Sequence, residues 1–244
     1  MLPISSTQNP TIKLIRSLDD KKARREAGLF VVEGIVMLER AEDLGWAPDY
    51  LIATKPLHLF DGMKAFIVTE KLMAELSAQN NPHDVLAAFS QRWQPHPSKE
   101  GNWLALEEIR DPGNLGTIIR TAEAASIAGL ILVGDCCDPY APECVRATTG
   151  SIFGVTLTKM PAVSFVDFAK AWPGDSVATR MDAKQDYRRD YKAPTLLVMG
   201  SEARGLSDSI SSACKQKVRI PMKLGVESLN VATATALMLY QTLK

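Results

Sequence analysis

From residue 103 onward, short apolar runs alternate with segments whose apolar residues recur at helical spacing. The strand-length runs are 104–109, 130–133, 195–199 and 217–220, and the helical segments are 115–128, 164–171 and 229–243. Strands that alternate with helices predict a mainly parallel sheet covered by helices on both faces. This pattern predicts the α/β fold class for the second half of the chain.

The first hundred residues predict a smaller α/β domain. The predicted strands are 29–33 and 50–53, and the predicted helices are 35–44 and 70–78. Residues 91–102 contain two prolines and a glycine but no apolar periodicity, which is typical of a linker. We therefore expect one domain at 1–95, a linker at 96–102 and a second domain at 103–244.

Composition limits the classes of protein that remain. The 244 residues are 46% hydrophobic and 23% charged, as in ordinary globular proteins. No run approaches the ~20 apolar residues of a membrane helix, and the N-terminus lacks the order of a signal peptide. Cys136, Cys137, Cys144 and Cys214 form no C-x-x-C pair. We expect a cytoplasmic protein with no membrane partner and no metal.

Two strand–helix junctions in the second domain carry glycine and asparagine. In DPGNLGTIIR (111–120), Asn114 is expected to cap the following helix, and Arg120 lies off the apolar stripe. In LVMGSEARGL (197–206), a buried strand runs into Gly200, where backbone can approach a ligand closely. Glu202 replaces the middle glycine of a dinucleotide loop and would repel a pyrophosphate. Taken singly, a solvated helix arginine and a plain turn explain both segments.

A third junction, IPMKLGVESLN (220–230), precedes the last predicted helix. Ser228 is expected to cap that helix. Asn230 then falls in the first turn, where its helix propensity is poor. Each junction is ordinary by itself, whereas the order and spacing of the three are not.

In that order, the three junctions resemble the signature motifs of the SpoU/TrmH family of RNA ribose 2′-O-methyltransferases, within the SPOUT class. The matching residues are Asn114, Gly116 and Arg120, then Gly200, Glu202 and Gly205, then Ile220, Pro221, Met222, Ser228, Leu229 and Asn230. The segment RATTGSIF (146–153) is similar to the family's intermediate glycine-containing segment. The N-terminal region is similar to the substrate-binding domain of members that act on ribosomal RNA, through Asn9-Pro10, Lys13, residues 21–25 and FVVEG (30–34).

The resemblance implies a C-terminal SPOUT domain with a deep trefoil knot and S-adenosylmethionine as cofactor. Its implied cofactor-binding residues are Met199, Gly200, Gly205, Ile220, Met222, Ser228 and Leu229. Its implied catalytic residues are Arg120, Glu202, Ser228, Asn230 and Asn114. Because a guanidinium is effectively never deprotonated, we expect Arg120 to stabilise the forming alkoxide and grip the adjacent phosphate. Glu202 and Ser228 would orient Arg120.

The resemblance also implies an RNA partner and a homodimer. Formal net charge is zero, so RNA contact must come from local clusters. The expected RNA-binding residues are Lys13, Arg16, Lys21, Lys22, Arg24 and Arg25, with Lys184, Arg188 and Arg189 as further candidates. The last helix, rich in small residues, is either a dimer interface or a core element of one subunit.

The expected activity is 2′-O-methylation of RNA, with large-subunit ribosomal RNA as the first candidate substrate. The alternatives are a transfer-RNA methyltransferase and a non-catalytic RNA-binding or ribosome-assembly protein that keeps the SPOUT fold. Intact Arg120, Glu202, Ser228 and Asn230 argue against the non-catalytic alternative. A dinucleotide-dependent oxidoreductase is a more distant alternative.

Overall fold

The computed structural model of the chain describes residues 2–60, 62–63, 65–226 and 228–243. The chain divides into two compact units, which comprise Met1–Gln91 with Asp138–Gly154, and Arg92–Cys137 with Val155–Lys244. The first unit therefore includes a segment from the middle of the chain. The expected functional domains at 1–95 and 103–244, with their linker at 96–102, stay a prediction.

Strands and helices are numbered in chain order over the whole protein. The strands of the first unit are β1 (Leu2–Ile4), β2 (Leu29–Glu33), β3 (Tyr50–Ala53), β4 (Phe66–Val68) and β5 (Val85–Ser90). Its helices are α1 (Pro10–Ser17), α2 (Lys21–Ala27), α3 (Ile35–Asp43), α4 (Glu70–Leu76) and α6 (Pro142–Thr148), followed by a 3-10 turn at Ser151–Phe153. The described strands form one mixed sheet in the order β1-β4-β3-β5-β2.

An aromatic cluster explains why the segment 138–154 belongs to the first unit. The ring of Tyr140 lies 4.6 Å from that of Phe30 on β2, measured between centroids. The ring of Phe153 lies 4.9 Å from that of Phe89 on β5. The indole Nε1 of Trp46 donates to the carbonyl oxygen of Phe153 at 2.9 Å. Because Phe30, Phe89 and Tyr140 are almost fully buried, this segment completes the core of the unit.

The second unit alternates strands and helices, as predicted. Its strands are β6 (Trp103–Glu107), β7 (Gly129–Val133), β8 (Leu157–Met160), β9 (Ser176–Thr179), β10 (Gln185–Asp186), β11 (Leu196–Met199) and β12 (Gln216–Arg219). Its helices are α5 (Pro112–Ala124), α7 (Ala162–Lys170), α8 (Asp208–Ala213) and α9 (Val231–Thr242).

These described strands form a wholly parallel sheet in the order β10-β12-β9-β11-β6-β7-β8. The predicted α/β class with a parallel sheet is confirmed, and the trefoil knot stays a prediction. The chain runs outward from β6 through β7 to β8 and later returns to the other side of β6. Loops that leave such a switch point diverge and open a crevice at the carboxyl ends of the strands.

Both faces of the parallel sheet are covered. Side chains of a strand alternate between the two faces, and on one face Ala105, Ile131 and Val198 pack with Phe165 of α7 and Ile210 of α8. On the other face, α5 and α9 pack against each other and against β7 and β11. The helices thereby hold the carboxyl ends of β6, β11 and β12 at one edge of a rigid sheet.

Within the described part of the chain, no helix is long and apolar enough to cross a membrane.

Candidate active site

The first junction places Asn114 inside α5 and not at its cap. The N-cap is Asp111, whose side chain accepts a hydrogen bond from the backbone N–H of Asn114 at 2.6 Å. The expectation that Asn114 caps this helix is therefore wrong, because Asp111 performs that role three residues earlier. The Asn114 amide is left available for contacts with other loops.

At the third junction the N-cap is shifted in the opposite direction, toward the C-terminus. The N-cap of α9 is Asn230, whose Oδ1 accepts from the backbone N–H groups of Ala232 at 2.9 Å and Thr233 at 3.2 Å. The expected cap at Ser228 is wrong, because α9 begins at Val231, two residues later than predicted. Asparagine is a favoured N-cap, so its poor propensity for the helix interior costs nothing here.

A chain of side-chain hydrogen bonds joins all three junctions. The Nδ2 of Asn114 donates to Oε1 of Glu202 at 2.8 Å, and the Nδ2 of Asn230 donates to Oδ1 of Asn114 at 2.9 Å. Three of the five expected catalytic residues thus lie together where β6, β11 and β12 end.

The direction of donation along this series of hydrogen bonds is fixed by the groups at its two ends. A carboxylate only accepts hydrogen bonds and a backbone N–H only donates. The amide nitrogen of Asn114 must therefore face Glu202, and its oxygen must face the amide nitrogen of Asn230. The oxygen of Asn230 then faces the first turn of α9. Every amide group is consequently held in one orientation.

The second junction is a tight loop that Gly200 makes possible. A Cβ atom added to Gly200 would lie 2.1 Å from the carbonyl carbon of Gly205 and 2.2 Å from the amide nitrogen of Leu206. The amide of Gly205 donates to the carbonyl of Ser201 at 2.9 Å, and Gly205 itself has φ +65°. Close backbone approach at Gly200 was expected toward a ligand, whereas here the chain approaches itself.

One cavity of about 460 Å³ lies beside this loop. Its lining includes all the expected cofactor-binding residues, Met199, Gly200, Gly205, Ile220, Met222, Ser228 and Leu229. The volume falls within the roughly 300–1,000 Å³ of small-molecule pockets, which are mostly apolar with a few oriented polar groups. The residues present therefore fit a cofactor of the size of S-adenosylmethionine.

Sequence reasoning missed an ionic clamp at the rim of this cavity. The guanidinium of Arg180 donates to both carboxylate oxygens of Asp182, at 2.8 and 2.9 Å, and to Asp208 at 2.7 Å. The hydrogen bonds that Arg180 donates, first to Asp182 and then to Asp208, raise its pKa above the ordinary value of an arginine. The clamp ties the loop after β9 to the start of α8. A lone arginine in the segment TRMD (179–182) gave no signal for it.

Arg120 and Ser228 are the expected catalytic residues that the hydrogen-bonded chain does not include. Arg120 is exposed on α5, and its guanidinium makes no hydrogen bond or ion pair within the described part of the chain. Ser228 is exposed and lines the cavity. The expected orientation of Arg120 by Glu202 is not seen, because the carboxylate of Glu202 accepts from Asn114 instead.

Arg24 is buried, unlike the other expected RNA-binding residues of α1 and α2. Its side chain is only 4% exposed, and its Nη2 lies 2.9 Å from Oδ2 of Asp138. Its Nη1 donates to the backbone carbonyls of Leu18 and Asp19, at 2.9 and 2.7 Å. The prediction that Arg24 contacts RNA is wrong, because the guanidinium is buried in an internal ion pair that joins α2 to the segment 138–154.

The other basic residues of the cluster are exposed, namely Lys13, Arg16, Lys21, Lys22 and Arg25. Arg16 pairs with Glu75 at 3.0 Å, and Lys22 lies 3.9 Å from Glu26. In the second unit, Arg188 pairs with Asp186, and Arg189 bonds to Gln185.

In the part of the chain that the structure describes, neither a group of metal ligands nor the thiols of Cys136 and Cys214 mark a further site. In the described residues, no group of three or more His, Cys, Asp or Glu is placed to hold a metal ion. Burial raises the pKa of Cys136 to about 11 and that of Cys214 to about 12. Both groups are therefore protonated thiols at neutral pH, which are poor nucleophiles.

Comparison with known families matches both parts of the chain. Residues 102–240 match the model of the SpoU rRNA Methylase family, and residues 9–87 match that of the MRM3-like substrate binding domain. A tRNA/rRNA methyltransferase of Synechocystis, itself uncharacterized, is 32% identical, and the match covers 98% of this chain and 92% of that protein. A 23S rRNA guanosine 2′-O-methyltransferase of Bacillus subtilis is 26% identical, with 98% of each chain covered.

A solved structure also matches almost the whole chain. The crystal structure of an AdoMet-bound rRNA methyltransferase from Sinorhizobium meliloti superposes with a TM-score of 0.88 and 38% identity, covering 98% of this chain and 96% of that one.

The loop geometry predicts that alanine substitutions at Gly200 and Gly205 lower the free energy of unfolding by different amounts. Gly200→Ala should lower the free energy of unfolding by about 3 kcal/mol or more, because its Cβ would collide with backbone that cannot move aside. Gly205→Ala meets nothing within 4 Å and should cost only about 1 kcal/mol, from its positive φ. Urea unfolding of both variants measures the difference, and equal costs would contradict the close approach.

Proposed function

Because the chain belongs to the SpoU rRNA methylase family, we propose that it methylates a ribose 2′-hydroxyl of large-subunit ribosomal RNA, with S-adenosylmethionine as donor. The observation that carries this proposal is the hydrogen-bonded chain Glu202–Asn114–Asn230 beside a cavity of cofactor size. The names of the Bacillus subtilis and Sinorhizobium meliloti proteins support the substrate and the cofactor.

The cavity supplies the surroundings that the cofactor needs. When bound, S-adenosylmethionine supplies an electrophilic methyl group on a sulfonium. Ile220, Met222 and Leu229 provide apolar walls, and the loop from Met199 to Gly205 provides backbone groups. Ser228 adds a hydroxyl to the lining. The Arg180 clamp ties the lining segment after β9 to Asp208 at the start of α8, which stabilises the shape of the cavity.

Arg120 has the properties of an electrostatic catalyst. A ribose hydroxyl is a weak nucleophile until its developing negative charge is stabilised. The guanidinium stays protonated, is exposed, and has no competing partner among the described residues. It therefore stabilises the forming alkoxide and grips the adjacent phosphate, while water or that phosphate takes the proton.

The hydrogen-bonded chain acts as a positioning device. Asn114 lies six residues before Arg120 on α5, and its amide ties that helix to the loops of Glu202 and Asn230. These bonds fix α5 relative to the cavity, so that Arg120 and the bound cofactor keep a constant separation.

RNA contact by the first unit completes the proposed function. Lys13, Arg16, Lys21, Lys22 and Arg25 present exposed cations, and each phosphate contact adds to the salt dependence of binding. Because ribosomal RNA is the proposed substrate, the proposed location is the cytoplasm.

The proposal includes a homodimer through α9. The small residues Ala232 and Thr235 are buried within the second unit, so they serve its own core. On the outer face of the helix, Leu237 is 41% and Tyr240 is 53% exposed. Apolar side chains left at the surface in this way fit an interface with a second copy.

Removing the guanidinium tests the catalytic role. Arg120→Ala should lower kcat for methyl transfer to 23S rRNA by about 100-fold or more, because one charge-stabilising group is lost, while the Kd for S-adenosylmethionine stays within a few-fold. Arg120→Lys keeps the charge and should retain more activity than the alanine variant. Normal turnover by Arg120→Ala would refute the role.

Reversing the charge of exposed basic side chains on α2 tests whether they contact RNA. Lys21→Glu, Lys22→Glu and Arg25→Glu together should weaken binding of a 23S rRNA transcript and flatten its salt dependence. Arg24→Met is the contrast: it should lower the free energy of unfolding by about 3 kcal/mol, because Asp138 loses its buried partner, and leave the salt slope unchanged. Unchanged affinity of the triple variant at moderate salt would remove the assignment.

Sedimentation of the full chain tests the dimer. We expect a dimer at micromolar concentration, and Leu237→Glu with Tyr240→Glu should convert it to a monomer, because the charges would be buried without partners. A monomeric wild-type chain would contradict the proposal.

A further inference from the structure

The first unit contains a cavity that the proposed methyl transfer does not use. Its volume is about 210 Å³, and its lining comes from α1, β2, α4 and α6 with the loop after α4. We propose that this cavity holds one unpaired nucleobase of the RNA substrate, and that the base carries an exocyclic amino group. This inference rests on the proposed function, in which RNA is the substrate.

The floor of the cavity is apolar. Ile15, Leu76 and Val145 line it and are each less than a tenth exposed. A volume of 210 Å³ is smaller than the roughly 300–1,000 Å³ of pockets for drug-sized ligands. It suits a single planar heterocycle with an apolar face. Proteins that read RNA by sequence bind unstacked bases of this kind and hydrogen-bond their Watson–Crick edges.

A carboxylate in the lining supplies the polar recognition. Glu33 accepts from the hydroxyl of Ser77 at 2.6 Å, the backbone N–H of Ala78 at 2.9 Å and the amide of Gln79 at 3.4 Å. These bonds fix its position. A carboxylate has about four acceptor sites, so one remains for a donor from a ligand.

Charge decides which part of a nucleotide enters. The lining holds the carboxylates of Asp19, Glu33 and Glu75 against the guanidinium groups of Arg16 and Arg146. This excess of negative charge repels a phosphate and attracts the amino group of a base. Glutamate in particular accepts from the N4 amine of cytosine.

The lining also contains a cation that can attract the phosphate adjoining the bound base. Arg146 lines the cavity and is exposed, and its guanidinium makes no hydrogen bond or ion pair with the residues that the structure describes. Arg16 in contrast is paired with Glu75 at 3.0 Å. Arg146 belongs to the segment 146–153 that the proposed methyl transfer leaves without a role.

The test compares two oligoribonucleotides that differ in this one group. Fluorescently labelled pentacytidylate and pentauridylate are titrated with the full chain at fixed salt. We expect pentacytidylate to bind about tenfold more tightly, because uracil presents a carbonyl oxygen where cytosine presents its amine.

Matched variants assign the preference to the cavity. Ala78 is exposed and lines the cavity, so Ala78→Trp fills it without touching the core, and the preference should disappear. Ala74, one turn earlier on α4 and also exposed, does not line the cavity, so Ala74→Trp should keep the preference. Equal binding of both oligomers by the wild-type chain, or a preference that survives Ala78→Trp, would overturn the proposal.

Methyl transfer to 23S rRNA is measured separately, so the two proposals can fail independently. A chain that prefers pentacytidylate but transfers no methyl group refutes only the activity. A chain that methylates RNA without the preference refutes only the cavity's role.

Discussion

The second unit depends on the two-sided hydrogen bonding of one amide. Asn114 donates to Glu202 and accepts from Asn230, and these partners lie 88 and 116 residues further along the chain. A shorter or acidic side chain could not make both bonds, because aspartate has no donor and alanine has neither group. The three loops at the carboxyl edge of the sheet therefore share one fixed point, and the cavity and α5 are arranged around it.

The parallel sheet could be predicted because its strands are continuous apolar runs between helices. The pattern of apolar residues is weaker in the first unit. β5, which lies between β3 and β2, follows a polar stretch and contains two alanines, so no periodicity marked it. The segment 138–154 escaped prediction for another reason. Its rings pack on Phe30 and Phe89, more than forty residues away, and a contact of that range leaves no local pattern.

At the site, the resemblance of the three junctions to the SpoU/TrmH motifs was enough to identify residues that line the cavity, but not the local roles of the capping residues. Asp111, Asn114, Ser228 and Asn230 are all good capping residues, and propensity cannot choose among neighbours of similar strength. Tertiary hydrogen bonds decide which residue becomes the N-cap, because Asn230 both caps α9 and donates to Asn114. The same reason explains the wrong prediction for Arg24. It belongs to a basic run on a helix, but its ion-pair partner Asp138 is remote in sequence and cannot be inferred from the run.

The first unit is discontinuous, and this has a consequence for how it is made and studied. On the ribosome its aromatic core cannot close until Tyr140 and Phe153 have been synthesised, by which time the first two strands of the other sheet, β6 and β7, already exist. The core of the first unit can therefore close only after synthesis of the second unit has begun. A fragment that ends at residue 95 would expose Phe30 and Trp46 to water and leave Arg24 without Asp138. The proposed binding of RNA by the first unit is therefore better studied in the intact chain.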